Sequence, residues 1–427
     1  MEIRAALKKI KGKKTTILFD QALFSLFNFG SIFVLSKVAD VAVFSDFVVF
    51  QSNVFFLFIF CTFFLSSPIL VLYPKKWREH EKEYLRALLC SNIVLNLVIG
   101  LILFFLLQQQ GLYVSYIFVV GIPFLMITFD IFKKYMFSSN RIPLYHAWVA
   151  SLLLNIVFFF CIFYFNSSLT LTTILSIYFF SYAIATFYLL LIFLAKGILR
   201  LGFFIPNLNK NGLFFNVINH HFKYSKWIIL GGIAYWGYAQ GLYIYANELN
   251  TSPLGIGKIK TVQNLLGIVS IFIITVENFY TPMFSNFIRL HPTKNISEMV
   301  RKVYQENYIK ALGLLLIVLV FSILFYEILY LEKYGEALLI ISIYCFCQSL
   351  MLFLRPITMA LKAQEITRPF FIGHLWATLT MLVVGSLLIE TYDYTGMAIC
   401  FASAVGVFSI IIVGYYKKHN SVNTIVG

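Results

Sequence analysis

The sequence predicts an all-α polytopic membrane protein, with about twelve transmembrane helices in two parallel six-helix bundles. Three observations carry this. At 60% hydrophobic and 12% charged residues, the 427-residue chain lies far from a soluble globular protein, which carries about 25% charged residues. Apolar stretches recur that reach the roughly 20 residues a helix needs to cross a bilayer. Basic residues fill every second gap between those stretches: 29 of the 33 Lys and Arg side chains lie in alternate gaps and both tails, while Lys37, Lys258, Lys260 and Lys333 lie in the others. Short loops rich in Lys and Arg stay on the cytoplasmic side. Both termini are therefore expected in the cytoplasm, and the formal charge of +15 needs no nucleic-acid partner.

The first span, 16–35, opens on Lys13 and Lys14 and is too long for a cleaved signal core, so it is expected to stay in the protein. Arg4, Lys8, Lys9 and Lys11 precede it and, with those two lysines, form a basic run suited to anionic headgroups. Spans 47–72 and 87–107 flank a cytoplasmic gap holding Lys75, Lys76, Arg78, Lys82 and Arg86. Spans 116–135, 144–165 and 170–194 complete the first half, with Lys133, Lys134 and Arg141 assigned to the cytoplasmic gap 133–143. The longest polar stretch, 195–226, is expected to be a central cytoplasmic linker between an N-terminal bundle, 1–194, and a C-terminal bundle, 227–427. The second half follows as 227–247, 259–283, 309–331, 337–360, 370–390 and 395–416. Cys61, Cys90, Cys161, Cys345, Cys347 and Cys400 fall in or beside spans, which suits packing rather than disulfides or a metal site. His220 and His221 are expected as a solvated pair in the linker.

Six helices per half leave both halves facing the same way, the arrangement of parallel repeats. An offset of 212 brings Lys14 onto Lys226, Asn28 onto Gln240 and Gln51 onto Gln263. At 100° per residue, Asp20, Phe24, Asn28 and Ser31 share one stripe of the first span, and Gly232, Trp236, Gln240, Tyr243 and Asn247 share the matching stripe of the seventh. Polar groups at membrane depth need protein or water around them, so both stripes are expected to face the gap between halves. Helix-to-helix hydrogen bonding within a bundle is the other reading of the same residues.

In the eighth span Lys260, Gln263, Gly267, Ser270, Glu277 and Thr281 share one face, and Glu277 is the charge deepest inside it. A carboxylate there costs on the order of 2.5 to 3.5 kcal/mol to insert, which marks it for a function or for a partner. Glu277 could carry a proton or sodium ion, or pair with Arg355 and hold the bundle. Asp130 and Glu327 lie nearer helix ends, where reaching the interface explains them. Arg355 shares a face of the tenth span with Tyr344, Gln348 and Met351. Its guanidinium fork suits phosphate, and with Lys37, Lys258 and Lys260 at the external mouth it could form a route for an anionic substrate; anchoring and solvation are the alternatives. No GxxxxGK[ST], HExxH or paired CxxC motif occurs, and the external gaps are short, so neither a cofactor nor enzymatic chemistry is expected.

The opening KKTTILFDQALFSLFNFGSIFVLSKVADVAVFSDFVVFQ, the stretch TVQNLLGIVSIFIITVENFYTP and the segment FLRPITMALKAQEITRP resemble polysaccharide-export membrane proteins of the Wzx type. These O-antigen and capsule flippases share a superfamily with the multidrug and toxic-compound extruders (MATE) and the lipid II flippases. The resemblance implies a MATE-like, V-shaped pair of bundles in the bacterial cytoplasmic membrane. It implies alternation between cytoplasm-open and periplasm-open states, and a cargo of undecaprenyl-diphosphate-linked oligosaccharide. It further implies coupling to H+ or Na+, with Glu277 or Asp20 as candidate carriers, and partners among polymerase and chain-length proteins. The diphosphate is then expected near Arg355 or the mouth lysines Lys37, Lys258 and Lys260, and the sugar against Asn28, Trp236, Gln240 and Tyr243. The alternatives are a multidrug exporter on the same fold and a membrane polymerase or ligase.

Overall fold

The structure is a computed structural model, described over residues 2–39, 41–109, 112–165, 169–199, 212–239, 241–249, 253–291 and 295–423. Every regular element among them is helical. Two compact units form, Met1–Ser225 and Lys226–Gly427.

The first unit holds α1 (Glu2–Val38), α2 (Val41–Cys61), α3 (Ile69–Leu72), α4 (Glu81–Gln109), α5 (Tyr116–Ser138), α6 (Tyr145–Tyr164) and α7 (Leu171–Ala195). Pro68 has no N–H to give, and ahead of it the ladder widens into a π turn, Thr62–Ser66, where the Ser67 N–H reaches back to the Thr62 carbonyl at 2.8 Å. A second π turn, Tyr73–Trp77, follows α3 and carries the chain out of the second span. Ser115 and Thr170 cap α5 and α7, accepting from the N–H groups of Ile117 and Thr173. Gly197, with φ 63°, ends α7 in the left-handed turn that glycine adopts without strain. The unit is built around α5, which packs against α2, α3, α4 and α7, while α6 packs on α1 and α7. Gly121 allows the close approach of α5 to α7, since a Cβ there would lie 2.6 Å from the ring of Phe179.

The second unit holds the greater part of α8 (Leu213–Ala239), then α9 (Gly241–Glu248), α10 (Pro253–Leu266), α11 (Ile268–Leu290), α12 (Ser297–Tyr334), α13 (Leu338–Ala363) and α14 (Arg368–Asn423). α14 breaks at Asp393 (φ 47°, ψ −126°), so the eleventh and twelfth spans are its two arms. Its core joins Leu242, Val262, Val269, Tyr344, Phe401 and Phe408 among others. Here α13 is central, packing against α10, α11, α12 and α14.

Seven helices among the described residues are long and apolar enough to cross a membrane on length and composition. The chain is a multi-pass membrane protein. Gly267 interrupts the helical ladder between α10 and α11.

Candidate functional site

Each unit carries charge inside its helices, and in each the cation stands on the central helix. In the first unit Lys133 projects from α5 and is only 3% exposed, paired with the fully buried Asp20 of α1 at 2.9 Å. Ser151 of α6 donates to the other Asp20 oxygen at 2.7 Å, the Gln21 amide donates to the first at 3.0 Å, and Lys133 itself donates to Ser151 at 3.1 Å. The Lys133 ammonium also lies over the rings of Phe24 and Phe129, 4.7 and 4.9 Å from their centroids. Every acceptor of the carboxylate is thus engaged by protein, the condition under which a charge tolerates burial.

This corrects three expectations. Lys133 does not belong to the cytoplasmic gap: α5 runs on to Ser138 and keeps the lysine inside. The stripe Asp20, Phe24 and Ser31 faces its own bundle, with Ser31 buried and accepting from the Tyr178 hydroxyl at 2.7 Å. Asn28 is exposed. Asp130, one helical step before Ile131 on α5, accepts a hydrogen bond from Ser66 instead of reaching the interface.

In the second unit Glu277 of α11 binds two cations of α13. Arg355 donates to one oxygen at 3.2 Å and Lys362 to the other. All three side chains are partly exposed, and the trio carries one net positive charge. The Nε of Arg355 is buried without a hydrogen-bond partner among the described residues, so the guanidinium keeps a donor unspent. Tyr235 and Tyr238 of α8 and His374 of α14 form a cluster of rings, with centroids 5.3, 5.5 and 5.8 Å apart. The Tyr238 hydroxyl and His374 Nδ1 are 3.2 Å apart. Tyr235 and Trp236 are 44% and 51% exposed, so α8 presents two aromatic rings outward.

Lys258 is 4% exposed, donates to the Glu336 carbonyl at 3.1 Å and sits over the Tyr394 ring at 4.1 Å. Its position ties α10 to the start of α13. Gln240 and the side chains of Lys37, Lys260 and Tyr243 lie outside the described residues, as do the side chains of Arg4, Lys8, Lys9 and Lys11. Among the described residues no cluster of His, Cys, Asp and Glu could hold a metal ion.

The histidine pair also departs from expectation. His221 is fully buried in the first unit: one ring nitrogen is 2.9 Å from the Tyr84 hydroxyl and the other 2.9 Å from the Phe64 carbonyl. Burial pushes this histidine, which precedes the seventh span, down to about 4. His220 lies against Trp77.

Two helical units with charged interiors, each centred on its fourth span, place the chain in the MATE-like class of folds. A MATE transporter in its straight conformation superposes with a TM-score of 0.79 at 11% identity, over 97% of this chain and 96% of that one. A Vibrio cholerae MATE transporter variant gives 0.76 at 11% identity, over 96% of each chain. A transporter of the MOP superfamily from Pyrococcus furiosus, described by the reverse polarity of its binding pocket, gives 0.76 at 12% identity over 97% and 96%. No protein-family model matches the sequence, and no curated protein does.

Proposed function

We propose that this protein exports a polyprenyl-diphosphate-linked oligosaccharide across the bacterial cytoplasmic membrane by alternating access. The observation that carries the reading is the Arg355–Glu277–Lys362 trio, with its excess positive charge and its unspent guanidinium donor. A cationic extruder would need the opposite sign at this place. A diphosphate supplies acceptors that a guanidinium binds in pairs. The exposed rings of Tyr235 and Trp236 on α8, in the same unit, suit the apolar faces of sugars. The P. furiosus transporter described by reversed pocket polarity supports treating the sign of the site as variable on this fold.

Glu277 then serves as a counter-ion that the substrate's phosphates compete with, rather than as a free proton carrier. Asp20, locked to Lys133, is proposed to hold α1 to α5 and α6. Multidrug extrusion is the second reading, favoured by the MATE structures that superpose on this chain.

The test is the Arg355→Gln variant at unchanged protein level. Export of the lipid-linked oligosaccharide is expected to fall about tenfold or more, the loss of one charge-assisted pair. Normal export would remove Arg355 from the substrate site. Resistance to cationic drugs that disappears on deletion, with lipid-linked sugars unchanged, would favour the second reading.

A further inference from the structure

A cavity of about 440 Å³ opens in the first unit between α4, α5 and α7. That volume lies within the range of small-ligand pockets, about 300–1,000 Å³. Leu89, Phe124, Phe132, Ala183 and Phe187 form most of its wall, and it presents no polar atom. The two threonines that line it have spent their hydroxyls: Thr128 donates to the Phe124 carbonyl at 2.8 Å and accepts from Asn92, and Thr186 donates to the Leu125 carbonyl. Ile184 and Phe187 at its rim are exposed on the helix surface. A wall of this kind repels sugar, phosphate and ion alike and accepts hydrocarbon.

The position within the membrane narrows the occupant. Leu89 stands near the start of α4, and Phe132 and Leu190 stand near the ends of α5 and α7. By the distribution of basic residues these three ends are cytoplasmic, so the groove lies toward the inner leaflet. Arg86 precedes Leu89 by one turn on the same face of α4 and is partly exposed. Arg86 stands one turn nearer the cytoplasmic end of α4 than the groove-lining Leu89, so a lipid whose phosphate head meets Arg86 brings the first part of one chain to the slot. A glycerophospholipid brings two chains to one head and leaves the second without a seat.

We infer that this groove is a loading site for a polyprenyl diphosphate, taking the part of the isoprenoid chain next to the diphosphate, with Arg86 on the phosphate. The inference rests on the proposed transport function and assigns the substrate's lipid a separate seat from its headgroup site at Arg355. A chain seated there presses on the same helix that carries Lys133, so cargo lipid and interior charge meet on α5.

The experiment uses the full chain in phosphatidylcholine vesicles with a diazirine-bearing polyprenyl diphosphate, followed by peptide mapping, and with oligosaccharide transport read in the same vesicles. Labelling is expected on residues 124–132 and 183–190, displaced by unlabelled polyprenyl diphosphate and not by phosphatidylglycerol. It is expected to be lost in Ala183→Trp, and in Ile184→Trp, a rim substitution that leaves the helix contacts in place. Arg86→Gln is expected to raise the half-displacing concentration about tenfold or more. Equal displacement by phosphatidylglycerol would overturn the assignment and make the groove a seat for ordinary membrane lipid. Transport without labelling of these segments would overturn it too, leaving the transport function intact. Groove labelling in vesicles that never transport would uphold the site and contradict the transport reading.

Discussion

The Asp20 carboxylate accepts from Lys133, Ser151 and Gln21, and no water is needed to complete it. In such a site the partner matters more than the pair, since removing one member strands the other charge in a low-dielectric interior. Asp20→Asn and Lys133→Met are each expected to lower stability by about 3–5 kcal/mol, and the double variant to recover most of that loss. Unfolding of the four proteins in detergent measures the coupling; additive losses would show that Asp20 and Lys133 act separately. The trio at Glu277 behaves differently because it is partly exposed and carries two cations for one anion. Glu277→Gln leaves Arg355 and Lys362 as neighbouring like charges, so abundance is expected to fall while residual transport per molecule persists. Transport abolished at normal abundance would instead make Glu277 a carrier in the cycle. Of these residues, Asp20, Glu277 and Arg355 were legible in the sequence as charges within apolar spans. Lys133 was not, because it lies near the end of its apolar window, where the rule that assigns basic residues to cytoplasmic loops absorbs it.

α8 shows how an element can be read correctly in its second half and missed in its first. From Lys226 onward its apolar pattern is plain, but Leu213–Ser225 sits in the polar stretch that composition marks as linker. The signal was present at helical spacing: Val217, His221, Tyr224 and Ile228 are all buried and recur on one face. His220 and Asn219 on the flanks hide that stripe from any average over the window. The buried imidazole makes this start of α8 sensitive to acid. His221 is held near 4 by burial, below the usual histidine value of about 6.5, so between those limits the unfolded chain binds the proton and the folded one does not. Stability contributed by the neutral ring is therefore complete above about pH 6.5 and is lost as pH falls toward 4, with a slope of about 1.4 kcal/mol per pH unit. Amide exchange in residues 213–225 followed from pH 7 to pH 5 is expected to show loss of protection, once corrected for intrinsic rates. In His221→Gln the pH dependence is expected to vanish, and its persistence would place the titration elsewhere.

At the scale of the whole molecule, the two units repeat a plan: a central helix, α5 or α13, bears a cation that meets a carboxylate from another helix of its own unit. The all-helical, multi-span fold class could be read from hydropathy and charge alone, because lipid forces every backbone polar group into helices and leaves little choice of architecture. Of the pairs that meet inside each half, Glu277 with Arg355 was among the readings of the sequence, whereas Asp20 with Lys133 was not, since a one-residue rotation of a helix moves a polar stripe to a different neighbour. The excess positive charge of the second unit's trio is the feature on which the export of an anionic, lipid-linked sugar stands. The measurement that tests it most directly is the leaflet distribution of the lipid-linked oligosaccharide in cells lacking this protein, read by protection from a sugar-cleaving enzyme supplied to the periplasm. Accumulation of protected, unpolymerised units is expected, with rescue by the wild-type chain and not by Arg355→Gln. Units exposed at the outer face, or lipid-linked sugars unchanged in amount and side, would contradict the proposed function.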